Sequence, residues 1–185
     1  MKAGQFFLRA AIAAVSALSI AGCGRVDVAN NVSETRPMMT PSVTYLYLLR
    51  NTPFFKGLGD DQLRWAIKHS REWEAASRTV VATCNPAAPD NHDIWILLDG
   101  GWQVETNGRT FPAGHADPGK WFSGAVSAGD CRLVTTEHSY VMKITRTDMD
   151  DMLARGFAFT NHLEQGEAYY GTIFSNQSVR RTDEH

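Results

Sequence analysis

Asp117-Pro118-Gly119-Lys120-Trp121-Phe122-Ser123-Gly124 is the stretch of this chain best suited to hold a ligand, because two glycines bracket an aromatic pair beside a lysine and a hydroxyl. Among the five tryptophans Trp121 is the pocket candidate, whereas Trp65 and Trp95 read as core. His92, His115 and His138 could hold a metal ion if distant strands converge, although scattered histidines are ordinarily loop and surface residues. Cys84 and Cys131 are an even pair, to be read as a disulfide in an oxidising compartment or otherwise as two buried thiols. Ser123 lies between Phe122 and Gly124, which is not Gly-x-Ser-x-Gly, so a nucleophile elbow is absent. Asp148, Asp150 and Asp151 read as the solvated start of a helix, favoured by its dipole, in preference to a calcium loop. No catalytic constellation emerges, and neither enzyme activity nor a cofactor is expected.

These residues sit in a β-rich block from Asn91 to Ile144. His92 to Glu105 reads as two strands around the Gly100-Gly101 break. Leu133 to Ile144 is a further β-rich stretch, with Val134, Tyr140, Val141 and Ile144 as its inward set. Glu72 to Thr83 reads as one earlier strand closing on Val80-Val81-Ala82, and Cys84 to Asp90 as turn material. Helical segments flank the block. Tyr45, Leu46, Leu48 and Leu49 form an apolar cluster ended by Asn51-Thr52-Pro53, where proline disfavours helix at the preceding residue. In Asp60 to His69, Leu63, Ala66 and Ile67 share one face and Asp60 serves as N-cap. Thr147 and Asp150 have capping-box-like spacing at the start of another helix. Asn161 to Phe174 reads as a second C-terminal helix, weakened by Gly166 and Gly171, and Ser175 to His185 as a polar tail.

With 185 residues, 43% hydrophobic and 21% charged, the chain has one domain's worth of core. The first 22 residues hold Lys2 and Arg9 and no acid, leaving 16 basic and 20 acidic residues beyond them, a net of −4. No basic run tracks a phosphate backbone, so nucleic-acid binding is not expected. Lys2 and Arg9 form a positive n-region, and the eleven residues Ala10 to Ile20 an apolar h-region. That run is too short to span a bilayer core of roughly 30 Å. Residues 1–22 are therefore an export signal. Its end, Ile20-Ala21-Gly22-Cys23, resembles the lipobox of bacterial lipoproteins, which implies acylation of Cys23, palmitate included, and a new N-terminus there. Gly24 in place of an aspartate implies, by the same resemblance, the outer membrane, with the protein facing the periplasm. Residues 23–42, broken by Asn30-Asn31, Pro37 and Pro41, read as a flexible tether, on the order of 25 Å end to end if they behave as a coil. An exported address favours the disulfide reading for Cys84 and Cys131, which would close a loop of about 48 residues and contribute on the order of 4 kcal/mol in the chain-entropy treatment.

Four motifs in order carry a second resemblance. Pro53-Phe54-Phe55-Lys56-Gly57-Leu58 before a short helix is similar to the opening of cyclic-nucleotide-binding domains of the Crp type. Asp93 to Val104 resembles the central hairpin of that family. Asp117-Pro118-Gly119-Lys120-Trp121-Phe122 resembles the start of its phosphate-binding cassette, and Thr147 to Leu153 its closing helix. The likeness covers residues 43–159, with 160–185 left as C-terminal helix and tail. It implies a mainly β fold with flanking helices, a double-stranded β-helix of the jelly-roll or cupin-like β-roll kind.

This sequence departs from that family where the ligand would bind. The family's glutamate after the Phe-Gly pair, which holds the ribose 2′-hydroxyl, is replaced by Ser123-Gly124-Ala125. Asp130 falls nearest the family's phosphate-neutralising arginine, and a carboxylate against a phosphate is repulsive by about 1 to 4 kcal/mol at contact. Arg132 could substitute only if the loop slips by two residues. The resemblance thus implies a degenerate roll without cAMP or cGMP binding, acting as an interaction module for an envelope protein. A sensor for another small ligand, with Gly119, Trp121, Phe122, Ser123, Gly124 and Arg132 as candidate pocket, is the alternative. Pro112-Ala113-Gly114-His115 also resembles part of a cupin's second motif, but His92-Asp93-Ile94 does not supply the first, so a metal-dependent cupin is the weaker enzyme reading.

Overall fold

In the computed structural model, which describes residues 39–127 and 129–178, strands occur where β-branched and aromatic residues alternate between two buried faces. They are β1 Thr40–Pro41, β2 Ser70–Ala75, β3 Val80–Thr83, β4 Ile94–Asp99, β5 Gly101–Thr106, β6 Arg109–Gly114, β7 Trp121–Phe122, β8 Arg132–Thr135 and β9 Ser139–Ile144. The helices are α1 Leu46–Asn51, α2 Asp60–Lys68, α3 Arg146–Ala154 and α4 Thr160–Ser178. Short 3-10 turns cover Pro53–Phe55, Pro118–Lys120 and Gly124–Val126. Two antiparallel sheets result, ordered β1-β2-β9-β4-β7 and β3-β8-β5-β6. This is a mainly β roll with flanking helices, as the sequence implies.

Two turns set the register. Gly100, at φ +88°, carries the chain from β4 into β5 and from one sheet to the other. A Cβ there would stand 2.6 Å from Ser139 Oγ, so only glycine fits. Asn107-Gly108, both at positive φ, joins β5 to β6 as a two-residue hairpin.

The five-stranded sheet is buried on both faces at β4, which is why that strand reads as a continuous apolar run. Ile94, Ile96 and Leu98 point to an outer core with Leu49, Phe54, Phe55, Leu63, Met149 and Phe159, supplied by the helices and the 3-10 turn at Pro53–Phe55. Trp95 and Leu97 point between the sheets, to an interior core with Trp102, Val104, Phe122, Leu133 and Val141.

Several local expectations are corrected. Glu72 to Thr83 is not one strand: β2 pairs with β9 while β3 pairs with β8 in the other sheet. Arg78, at φ 64°, makes the corner, which Ser77 Oγ fastens to the Thr136 carbonyl (2.8 Å). Leu133 to Ile144 divides likewise into β8 and β9. Val134 lies opposite Gln103 and Val80 on the outside of its sheet, and Leu133 faces the interior in its place. Gly59, not Asp60, is the N-cap of α2, with Gln62 Oε1 accepting its amide (3.1 Å), and Asp60 pairs with Arg50 at 2.5 Å. Thr145 caps α3 two residues ahead of the expected position, accepting from the Asp148 amide (3.1 Å) and donating to its carboxylate (2.6 Å). Ordered chain also reaches into the segment read as tether, since Thr40 and Pro41 pair with Glu74 and Trp73. The expected signal segment and Cys23 lie outside the described residues. Among the described residues no helix is long and apolar enough to cross a membrane.

Candidate functional site

The glycine-aromatic segment follows directly from β6. Asp117 Oδ2 accepts the Gly114 amide (2.7 Å), which turns the chain, and Pro118 starts the 3-10 turn with its φ preset. The Gly119 carbonyl then accepts from Trp102 Nε1 (2.8 Å) and from the Tyr170 hydroxyl (3.0 Å). A Cβ on Gly119 would lie 2.7 Å from the Tyr169 ring and 2.8 Å from Ala113, so the segment is glycine where α4 crosses it. Strand alternation sends Trp121 to the outer core and Phe122 to the interior.

Helix α4 covers this segment. Trp121 Nε1 donates to the His162 carbonyl (2.8 Å), and Gly166 leaves room for the indole against the helix. Farther along, Tyr170, Ile173 and Phe174 enter the interior core, where the Tyr170 ring meets Phe122 edge to face at 5.5 Å. Tyr170 is 1% exposed. Burial, and secondarily Tyr169, pushes its phenol well above the ordinary value. The chain's own helix thus supplies part of the packing between the sheets, and a depression of about 220 Å³ remains beside Gly124, bordered by β3, Asn91 and Trp95.

Lys120, 3% exposed, is the one charged side chain buried in this region; its ammonium donates to the Asp117 carbonyl (3.0 Å). Burial lowers its pKa, against the opposing influence of the Asp117 charge. His162 is also lowered, first by burial and then by Lys120; its ring stacks on Phe54 at 5.3 Å and its Nδ1 is buried without a partner. Tyr169, which donates to the Pro112 carbonyl (3.0 Å), is raised by burial and by Asp117.

The six candidate pocket residues do not converge on one cavity. Gly119, Trp121, Phe122, Ser123 and Gly124 are all buried. Ser123 Oγ donates to the Asn91 carbonyl (3.2 Å), which also accepts the Ala125 amide (3.0 Å), and Gly124 is packed against the Asn91 side chain. Arg132, in contrast, points away from the interior because it shares the outward parity of β8, and it pairs with Glu105 at 2.6 Å. It borders an open depression of about 520 Å³ formed by the β5–β6 hairpin and residues 130–132. Asp130 borders the same depression, and its carbonyl accepts from Thr106 Oγ1 (3.0 Å).

Cys84 and Cys131 form a disulfide with their Cα atoms 5.0 Å apart, and the Cys84 amide donates to the Cys131 carbonyl (2.9 Å). The bridge fastens the end of the loop after the glycine-aromatic segment to the end of β3. The three histidines stay apart. His115 lies 3.6 Å from Asp99 and His138 3.7 Å from Glu74, while His92 is exposed in the loop before β4. Among the described residues no group of three or more His, Cys, Asp or Glu side chains could hold a metal ion. The contribution of α4 to the interior, and the roles of Gly166 and Tyr170, were missed by sequence reasoning; the spacing Phe159, Leu163, Gly166, Tyr170, Ile173, Phe174 was the available signal.

No protein-family model and no curated protein matches the chain. Solved structures do. One is the second cyclic-nucleotide-binding domain of a protein kinase A regulatory subunit bound to Sp-2Cl-cAMPS, with TM-score 0.50 and 9% identity over 70% of this chain and 88% of that one. Another is cAMP-bound PfPKA-R (141–441), with TM-score 0.55 and 11% identity over 72% of this chain and 46% of that one, so this chain spans less than half of its length. The fold is that of cyclic-nucleotide-binding domains.

Proposed function

We propose that the protein is a lipid-anchored lipoprotein of the cell envelope, exposed to the periplasm, whose roll is a non-enzymatic protein-interaction module without affinity for cAMP or cGMP. The observation that carries this reading is the packed interior: Tyr170, Ile173 and Phe174 of α4 join the core between the two sheets. Three further features support it. Ser123 and Gly124 stand where a carboxylate would be needed for a ribose, and both are engaged by Asn91. Arg132 is turned outward and held by Glu105, so it is not directed at a phosphate inside the roll. The disulfide at Cys131 fixes a loop that a ligand would have to order, and it suits an oxidising compartment.

A thermal-shift titration with cAMP and with cGMP under oxidising conditions tests this reading. A ligand at 100 times its dissociation constant would add about 2.7 kcal/mol to stability and raise the midpoint visibly. The expected result is an unchanged midpoint with either nucleotide. A concentration-dependent rise with one of them would overturn the proposal and make α4 a displaceable cover.

A further inference from the structure

Three of the four large apolar side chains exposed among the described residues lie together, with Val80 apart on β3. Val43, Tyr45 and Tyr47 are 67%, 67% and 76% exposed and lie within five residues, where the chain enters the fold. Their backbone is held from both sides. Thr40 and Pro41 pair with β2, the Ser42 amide donates to the Glu72 carbonyl (3.4 Å), and the Thr44 amide donates to Glu72 Oε1 (2.8 Å). Thr44, between the exposed residues, is buried, and Leu49 fixes α1 in the outer core at zero exposure. The extended backbone therefore presents Val43 and Tyr45 on one side, and the first turn of α1 adds Tyr47. A clustered, rigidly displayed apolar patch marks a surface that is covered in use.

Side-chain chemistry and position decide what covers it. From Thr35 to Gly59 the sequence contains Arg36, Arg50 and Lys56 and no acidic residue, although the whole chain is net negative. Arg50 shares its charge with Asp60, and the Glu72 carboxylate is taken up by the Thr44 amide. Tyrosine suits the headgroup region of a bilayer, where the ring is half buried and the hydroxyl stays wet. Fifteen residues lie between Cys23 and Met39, a reach of at most about 55 Å at full extension. An acyl chain on Cys23 would thus place this end of the domain within reach of the membrane.

We infer that Val43, Tyr45 and Tyr47 form a docking patch that seats the domain on the lipid headgroup surface beside its anchor. The inference rests on the lipid-anchoring reading of Cys23. It adds to the acyl chains a second contact that orients the domain, with the face around α1 toward the bilayer.

The test uses the full-length mature protein in phosphatidylethanolamine–phosphatidylglycerol vesicles made with brominated or ordinary acyl chains. Tyr47→Trp introduces an indole into the patch, and its added emission over wild type is read. The expected result is quenching of about half or more of that added emission by the brominated chains, as for an indole at the interface. Mass measurement of the N-terminal peptide separates the two readings. Unquenched emission from protein acylated at Cys23 overturns the docking patch and leaves the anchor standing, whereas a peptide without acyl chains overturns the anchor. An indole shielded from aqueous iodide yet untouched by brominated lipid means that a protein covers the patch, which also overturns the lipid assignment. As a second measurement, the double variant Tyr45→Ser/Tyr47→Ser should melt like wild type but be cut by trypsin after Lys56 several-fold faster on vesicles. Equal cleavage of the two proteins on vesicles contradicts the inference.

Discussion

The two faces of the five-stranded sheet are closed in different ways. The outer face is covered by segments from both ends of the fold: α1, Pro53–Phe55 and α2 from one side, α3, Phe157 and Phe159 from the other. The interior face has the second sheet opposite it, and its remaining opening is closed by α4 and held by one disulfide. Closure of the outer core is redundant, whereas closure of the interior depends on a few side chains of one helix. Helix α4 belongs to both regions, since Leu163 packs against the outer core while Tyr170, Ile173 and Phe174 fill the interior.

The strongest way to break this asymmetry is Tyr170→Ala, which removes the largest interior side chain supplied by α4. A loss of about 4 kcal/mol is expected by analogy with other buried aromatic truncations, read as a shift of the urea midpoint. Phe54→Ala on the outer face should cost a similar amount, but only Tyr170→Ala should raise amide exchange in α4 selectively. Reduction of Cys84–Cys131 comes next, at about 3 to 4 kcal/mol for a loop of this length, and should likewise loosen the interior side more than the outer.

Smaller effects distinguish the two glycines of α4. Gly166→Ala drives a methyl into the Trp121 indole and should cost about 1 to 3 kcal/mol. Gly171 has open space where a Cβ would go, so Gly171→Ala should stabilise by about 0.5 to 1 kcal/mol. Denaturant melts of the pair give opposite signs if α4 is seated as described.

The pH response tests the junction of the two regions. His162 has its pKa lowered below the ordinary 6.5 by burial and by Lys120, so the unfolded chain binds the proton more readily than the folded one. Its contribution is therefore present above pH 6.5 and is lost as pH falls below that value toward the folded pKa. His162→Gln should flatten the melting midpoint across that window relative to wild type. Lys120→Met should have the smallest effect, a change of less than about 1 kcal/mol or a slight gain, because a buried ammonium contributes little without a paired carboxylate.

Much of this fold can be read from residue pattern alone. Gly100-Gly101 between two β-rich runs marks the strand reversal, and the unbroken apolar run of β4 follows from burial on both faces. Cys84 and Cys131, an even pair once Cys23 is set aside, are disulfide-bonded in the structure. The Asn107-Gly108 hairpin was equally legible, as this dipeptide is a strong two-residue turn signal, but it went unread beside the longer motifs. The candidate site was harder to read. Trp121 and Phe122 look like a ligand-facing pair until α4 is in place, and two glycines make that helix weak by propensity while serving, at Gly166, a close approach visible only in three dimensions. The outward direction of Arg132 was implicit in strand alternation once Leu133 is inside, but a loop assignment for Asp130 to Arg132 hid it.

The most direct test of the packed interior is native-state amide exchange across α4 at neutral pH under oxidising conditions. If Tyr170, Ile173 and Phe174 are integral to the core, the amides of residues 169–174 exchange only through global unfolding, with protection within about 1 kcal/mol of the stability measured by denaturant. Protection several kcal/mol lower, with β4 and β9 still protected, would show that α4 opens independently of the roll. That result would contradict the account and make the interior a gated ligand site.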